Sequence, residues 1–361
     1  MLRRRRLLSA LVIIPLAGGL GWWLARPSAP SATPQVAGRR EHTATLLGDG
    51  TILVVGGGSR GGYATTVAER YDPRTGLWHD AGRLRAARRD HTASLLPDGS
   101  VLIVGGVGDG FWPWQQWHGL AIVERYQPTT NRWTTVAPLP MATTDHSAVV
   151  LADGRVLVAG GRDQDAVPYR ESAAVWRYDP AQDRWEALAP LQIPRFRGTG
   201  VTLADGRAMV AGGTGPINTD AERTAEVYDP QSGTWQRSPL LPLTFIGQQA
   251  AALADGRVLV VRADKSVLYD PQRDAWYPAA AVSPFAFGGP LTALPDGRAL
   301  LVAGLIEGRY DFTPDRWQLV QRAISRTGQT ATLLSDGRVV LIGGQDSATI
   351  GSGHDVEIVR P

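Results

Sequence analysis

The feature that most constrains this 361-residue chain is a unit that returns seven times after residue 38. Asp-Gly pairs begin at Asp49, Asp98, Asp153, Asp205, Asp255, Asp296 and Asp336, on average about 48 residues apart. Each lies between two short runs rich in leucine, valine and isoleucine, the pattern of two antiparallel strands joined by a turn that needs positive φ. A Gly-Gly usually closes the second run, as at Gly56-Gly57, Gly105-Gly106, Gly160-Gly161, Gly212-Gly213 and Gly343-Gly344. A variable loop comes next, then a third run ending at a tyrosine, a turn, and a fourth run opening with tryptophan. The pairs are Tyr71/Trp78, Tyr126/Trp133, Tyr178/Trp185, Tyr228/Trp235, Tyr269/Trp276 and Tyr310/Trp317.

Four strands per unit without a helical period predict an all-β fold, a seven-bladed β-propeller in which each sheet buries its faces against its neighbours. The repeated Tyr and Trp then serve blade-to-blade packing. These residues resemble the kelch repeat over residues 39–361. Copies five and six depart from it, with Val261-Arg262 and Ala303-Gly304 in place of Gly-Gly, and with Tyr310-Asp311 separated from Pro314. The last copy ends at "HDVEIVRP" without a fourth strand. Residues 27–38, a Pro/Ser/Ala-rich linker containing "SATPQVAG", are expected to supply it and close the ring N-terminus to C-terminus.

The N-terminus divides off as residues 1–26. "MLRRRR" precedes Leu7 to Leu24, eighteen residues without a charge. As a helix this spans about 27 Å, enough for a bilayer core with the arginines cytoplasmic. It also reads as a cleaved signal peptide, with Leu7–Leu16 as its apolar core. Either way the repeat region is expected to be exported, anchored through residues 7–24 if they stay uncleaved. Without Arg3–Arg6 and Arg26 the charges nearly balance, which gives no support for nucleic-acid binding. The absence of cysteine excludes disulfides, thiolate metal sites and a cysteine nucleophile.

Kelch resemblance implies that binding uses the face built from inner-strand starts and the loops after Gly-Gly. Seven residues before the Asp-Gly aspartates stand His42, His91, His146, Gly198, Gln248, Gly289 and Gln329. Three imidazoles on adjacent blades can hold a transition metal. Repetition at one position favours instead a shared structural hydrogen bond, so no metal and no cofactor is expected. The loops are longest over blades two to four. "FWPWQQWH" after Gly105-Gly106 carries Trp112, Trp114 and Trp117, and the next loop carries Asp163, Tyr169 and Arg170. Arg88, Arg195 and Arg197 are expected on the same side. Together with His91 and His146 these form the expected ligand-binding set. Indoles beside arginines and carboxylates suit a carbohydrate or a protein partner; a loop packed on its own blades is the third reading.

The function expected is a binding or scaffold module. The alternative is a carbohydrate-active enzyme such as a sugar mutarotase or epimerase, since the resemblance extends to sialic acid mutarotases, which need only acid–base groups. No carboxylate pair with diagnostic spacing identifies catalytic residues. Galactose-oxidase-type chemistry fails for want of the cysteine in its cross-linked cofactor.

Overall fold

The computed structural model describes residues 30–361 except 32–37, 59–62, 109–117, 164–165, 167–168, 217–218, 243, 245–248, 283–288 and 347–355. The segment at residues 7–24 and Trp112, Trp114 and Trp117 lie outside the described residues. Among those described, no helix is long and apolar enough to cross a membrane.

Strands dominate, joined by turns, with a single short 3-10 turn at Ala221–Arg223 among the described residues. The first sheet runs Thr43–Leu46, Ile52–Val55, Thr65–Asp72, Leu77–Arg88, each strand antiparallel to the next. Four more four-stranded sheets repeat this pattern over the second to fifth units. The sixth and seventh units share one five-stranded sheet because a single strand, Arg316–Leu333, serves as outer strand of one and inner strand of the next. This is the architecture of a β-propeller. The inner strands touch in succession: Thr43–Leu46, Thr92–Leu95, Ser147–Val150, Thr199–Thr202, Gln249–Ala252, Leu291–Ala293, then the Arg316–Leu333 strand, which touches Thr43–Leu46 again.

Second strands are buried on both faces, as at Ile52–Val55, Val101–Val104, Val156–Ala159 and Ala208–Ala211. That is why they read as continuous aliphatic runs rather than alternating ones. Their side chains build apolar clusters between sheets: Leu53 and Val55 of the first with Val101, Ile103 and Tyr126 of the second. The first sheet meets the last the same way, Ile52, Val54, Tyr71 and Trp78 packing on Leu334, Val340 and Ile342.

Each sequence signature has a distinct physical role. At the hairpin, Leu47 N–H donates to Thr51 O, and Gly50, at φ 82°, supplies the left-handed residue of a three-residue loop. The Asp49 carboxylate accepts from Thr51 N–H at 3.0 Å. In the six Tyr/Trp pairs the ring centroids lie 4.9 to 5.2 Å apart. The indole then reaches across: Trp133, Trp185 and Trp235 donate Nε1–H to the carbonyls of Ala81, Ala137 and Ala189 in the preceding units.

The sequence places the closing strand beside Val356–Val359. Ser31 of that segment pairs instead with the outer strand of the first sheet, its N–H and C=O bonding the backbone of Trp78 at 3.0 and 2.7 Å. Among the described residues only Val339–Ile342 pairs with Val356–Val359.

Candidate functional site

The residues at the inner-strand starts separate into a buried layer and an exposed one. Arg39, Arg88 and Arg195 belong to the buried layer. Arg88 and Arg195, expected on the exposed rim, are 0% and 1% exposed. Arg88 donates to Glu124 at 2.6 Å and Arg195 to Glu226 at 2.8 Å, while Arg39 pairs with Glu69. Further donors of Arg88 go to the carbonyls of Gly105 and Ile122, and those of Arg195 to Gly212, Ala221 and Thr224. A guanidinium so committed is part of the fold, Arg88 tying the end of the first sheet's outer strand to the second sheet, and this corrects the expectation that these two arginines face a ligand.

The histidines lie in the same layer, each 6% exposed. His42 Nε2 lies 3.1 Å from the hydroxyl of Thr330, His91 Nε2 3.0 Å from that of Thr43, and His146 Nε2 2.9 Å from that of Thr92. In each pair the hydroxyl belongs to the preceding unit of the ring. The shared structural bond, not a ligand contact, is therefore what His91 and His146 make. Burial, aided by the Arg39 charge, pushes His42 down to about 3, and burial alone pushes His146 down to about 4. His91 is held well below its ordinary value by burial and the neighbouring Arg88, His42 and His146. All three are neutral imidazoles at pH 7.

Gly-Gly completes this layer. The N–H of its second glycine donates to the next unit: Gly57 to Arg88 O, Gly106 to Thr143 O, Gly161 to Arg195 O and Gly344 to Arg39 O, at 2.8 to 2.9 Å. Against the first glycine the neighbour's imidazole packs so closely that a methyl on Gly105 would sit 3.0 Å from His146 Cε1 and 2.6 Å from Thr143 O.

The exposed layer begins one residue before each histidine. Glu41, Asp90, Asp145 and Arg197 all take left-handed backbone, φ 58°, 53°, 55° and 57°. Asp90 N–H donates to Glu41 O, and Arg197 N–H to Asp145 O, so these residues link the starts of successive inner strands. Arg89 pairs with Glu41 at 2.8 Å, while Asp145 receives Arg162 at 3.0 Å and Arg197 at 3.2 Å. Asp145 is 6% exposed but Arg197 is 53% exposed. Burial first, then the negative charges of Glu41 and Asp145, push the Asp90 carboxyl up to about 7, against the pull of Arg89 and Arg197.

Beside this cluster the loop of the third unit rises as a ribbon, Asp163 pairing with Arg170 and Arg162 with Glu171. Asp163 is half-buried, Arg170 is exposed and Tyr169 is 49% exposed. The Tyr169 ring stands edge-on to buried Phe196 at 6.2 Å, and the Arg162 guanidinium lies 5.1 and 5.0 Å from the two ring centres. A shorter ribbon, Val107–Gly108 against His118–Gly119, carries the base of the tryptophan loop on the same side.

Of the expected set, then, Asp163, Tyr169, Arg170 and Arg197 come together, whereas Arg88, His91, His146 and Arg195 lie beneath them. Sequence reasoning noticed Glu41, Asp90 and Asp145 as the acids before the three histidines but left them out of the binding set, and it missed Arg89, Arg162 and Phe196. It also missed a signal already present. Arginine three residues before the histidine position and glutamate two before the tyrosine position occur together (Arg39/Glu69, Arg88/Glu124, Arg195/Glu226, Arg326/Glu357) or not at all.

The opposite face, which carries the Asp-Gly hairpins, has two crevices among the described residues. A crevice of about 670 Å³ lies between the second and third hairpins, and one of about 340 Å³ between the fourth and fifth, both lined by Asp–Arg pairs. In the smaller, Arg257 lies 3.3 Å over the ring of Phe312, which replaces the usual proline of the turn.

Comparison with known proteins agrees with this construction. The family model described as the kelch motif matches residues 39–85, 88–140, 144–192 and 195–239, more than half of the chain. This chain belongs to the kelch-repeat family. The four matched copies all keep Gly-Gly, and the unmatched ones include the two that lost it. Kelch-like protein 36 of Rattus norvegicus is 30% identical over 248 residues, 66% of this kelch chain and 37% of the relative. Kelch repeat and BTB domain-containing protein 12 of Danio rerio is 32% identical over 160 residues, 40% of this chain and 25% of that protein. The chain thus spans well under half the length of these relatives. Among solved structures, one titled "Structure of YjhT" matches with TM-score 0.57 at 13% identity, over 91% of this chain and all of that one. A fungal alcohol oxidase of the AA5 family, in complex with copper, matches with TM-score 0.60 at 18% identity, over 74% of this chain and 61% of that one. At these identities the likeness is one of fold.

Proposed function

We propose that this kelch propeller is an exported binding module that docks a protein partner on the face carrying Glu41, Asp90, Asp145, Arg197 and Tyr169. Kelch-repeat proteins bind protein partners, and the coarse assignment rests on family membership. The observation that carries the choice of face is Tyr169, half exposed yet held against Phe196 and Arg162. A pre-positioned aromatic beside arginines loses little entropy on binding and suits an interface anchor. The composition of the adjoining loop, with Trp112, Trp114 and Trp117, suits the same role. A photo-cross-linking residue placed at Tyr169, compared with one at Tyr277 on an outer strand, tests this in cells of the source organism. One partner captured at Tyr169 only, and lost in Trp114→Ala, is expected; equal labelling from both positions overturns the assignment.

The ring is taken to have seven blades, with residues 27–38 completing the last. The succession of inner-strand contacts, which returns to Thr43–Leu46, supports the closed ring; the missing fourth strand of the last unit is the argument for its completion by residues 27–38. Deleting residues 28–38 should lower stability by several kcal/mol, about what loss of a strand's apolar burial costs. An unchanged melting temperature sinks the closure.

A carbohydrate-active enzyme is the second reading, and Asp90 favours it. Neighbouring carboxyls whose protonation is driven apart are the usual acid–base arrangement. Faster exchange of sugar anomers, seen by NMR and abolished in Asp90→Asn, would establish it; a carbohydrate that binds without such exchange would leave the module as a lectin-like binder.

A further inference from the structure

On the hairpin face one junction between units is built unlike the others. Two residues after the repeat tyrosine stands a proline in the first five units, Pro73, Pro128, Pro180, Pro230 and Pro271, but Phe312 in the sixth. The arginine of the preceding hairpin responds to the change. Arg207, after Asp205-Gly206, donates Nη2–H to Pro271 O at 3.1 Å. Its counterpart Arg257, after Asp255-Gly256, lies instead over the Phe312 ring at 3.3 Å. Asp255 accepts from Arg257 Nε and Nη2 at 2.8 and 2.7 Å. A ring thus backs one face of this guanidinium and a carboxylate fixes one edge. The side chain keeps 20% exposure and lines the crevice of about 340 Å³, a volume at the small end of the range for ligand pockets.

The charges of this crevice are matched pair by pair. Asp205 holds Arg207, Asp255 holds Arg257 and Asp270 holds Arg273, at 2.6 to 2.7 Å. Asp274, next in the chain, accepts the Tyr269 hydroxyl at 2.7 Å. Every guanidinium here already has its counter-charge, so the crevice offers little to an anion. It offers a flat surface. We propose that it binds a small neutral heteroaromatic ring, of the size and kind of a nucleobase, stacked on Arg257 with Phe312 as backing. A guanidinium is planar and weakly hydrated, and it stacks on π systems where an ammonium does not. Asp205, half exposed, supplies an acceptor at the rim, and Gln272 and Arg273, both exposed, supply donors. A ring whose edge carries both N–H and C=O or ring nitrogen meets both kinds of group. The larger crevice, between the second and third hairpins, has no aromatic ring among its described lining residues and no such stack. The site lies on the face away from Tyr169 and is independent of the protein-binding reading.

The test is a ligand-observed NMR titration of the full chain with uridine and with adenosine. The counterpart probe is 5,6-dihydrouridine, which keeps the sugar and the edge groups of uridine but loses the flat aromatic ring. At least one nucleoside should saturate a single site with Kd of about 0.1–1 mM, as suits a ligand of that size. Dihydrouridine should bind at least about tenfold more weakly than uridine, because it cannot stack. Arg257→Lys keeps the charge and loses the plane, and should weaken nucleoside binding about tenfold. Phe312→Pro, which restores the residue of the other units, should do the same. Arg155→Lys in the larger crevice should leave the affinity unchanged. Melting temperatures show whether each variant is folded; where Phe312→Pro loosens the junction, Arg257→Lys decides alone. The proposal is overturned if neither nucleoside saturates below about 10 mM, if dihydrouridine binds as well as uridine, or if binding is unaltered in Arg257→Lys. It is equally overturned if Arg155→Lys weakens binding as much as Arg257→Lys does.

Discussion

The hydroxyl of Thr43 lies 3.0 Å from Nε2 of His91, and the two residues belong to neighbouring sheets. The same bond joins Thr330 to His42 and Thr92 to His146, so part of the inner ring is stitched by one repeated pair. A double-mutant cycle of Thr43→Val and His91→Ala should give a coupling of about 0.5–1.5 kcal/mol, the net worth of one such bond. Additive losses in denaturant unfolding would show that the pair contributes only packing.

Acid should unfold the protein through these imidazoles. Their folded-state values lie below the ordinary histidine value, so the unfolded chain binds protons that the folded one excludes. The stabilisation is fully present above about pH 6.5 and is lost as pH falls from there towards about 4 and 3. Each neutral histidine adds a slope of about 1.4 kcal/mol per pH unit in that window. His42→Gln should flatten the curve by about one such increment; an unaltered slope in unfolding against pH excludes His42 as a contributor.

Arg195 and Glu226 form a pair 1% and 0% exposed. Glu226→Gln leaves a buried guanidinium without its counter-charge and also weakens the carboxylate's bonds to Gln192 and Ile193 N–H. A loss of about 3–5 kcal/mol is expected, with Arg195→Met/Glu226→Leu together costing less than the single change. Equal losses would mean that the backbone carbonyls around Arg195 hold it as firmly as the glutamate does.

Glycines of the two signatures should differ in what they tolerate. Gly50 has φ 82° and open space where a Cβ would stand, so Gly50→Ala should cost only the left-handed strain, about 1–2 kcal/mol. Gly106 has φ 94°, and a Cβ there would lie 2.6 Å from Arg89 O and 2.9 Å from His91 Cβ. Gly106→Ala should cost at least twice as much, because backbone must move. Melting temperatures of the two variants, measured side by side, decide it.

Much of the fold was legible because its signals are local. An Asp-Gly turn fixes a hairpin by its own backbone, and an aliphatic run four residues long reports burial on both faces. Tyr and Trp stack within one hairpin, at a spacing visible in the chain. The features that escaped reading are set between units. Arg88 looked like a rim residue because nothing in its own strand shows that Glu124, in the third strand, takes its charge. Nothing in the sequence around Asp90 shows that burial, and then Glu41 and Asp145 in the two neighbouring units, raise its carboxyl. Tyr169 and Arg170 are exposed on the ribbon of the third unit, as follows from a long loop projecting from the strand ends that bear it.

The Gly-Gly contacts carry a consequence for how such a chain can be rearranged. Gly56 and Gly57 complete the surroundings of Arg88 and His91, and Gly343 and Gly344 those of Arg39 and His42. A stretch cut out at its sequence period therefore takes half of one contact unit and half of the next. Transplanting a copy into another propeller should succeed only when the cut falls after Gly-Gly on one side and the recipient supplies a compatible imidazole on the other. The piece of chain that is copied and the piece of structure that holds together are out of phase, so a gained or lost repeat has to be repaired at two seams.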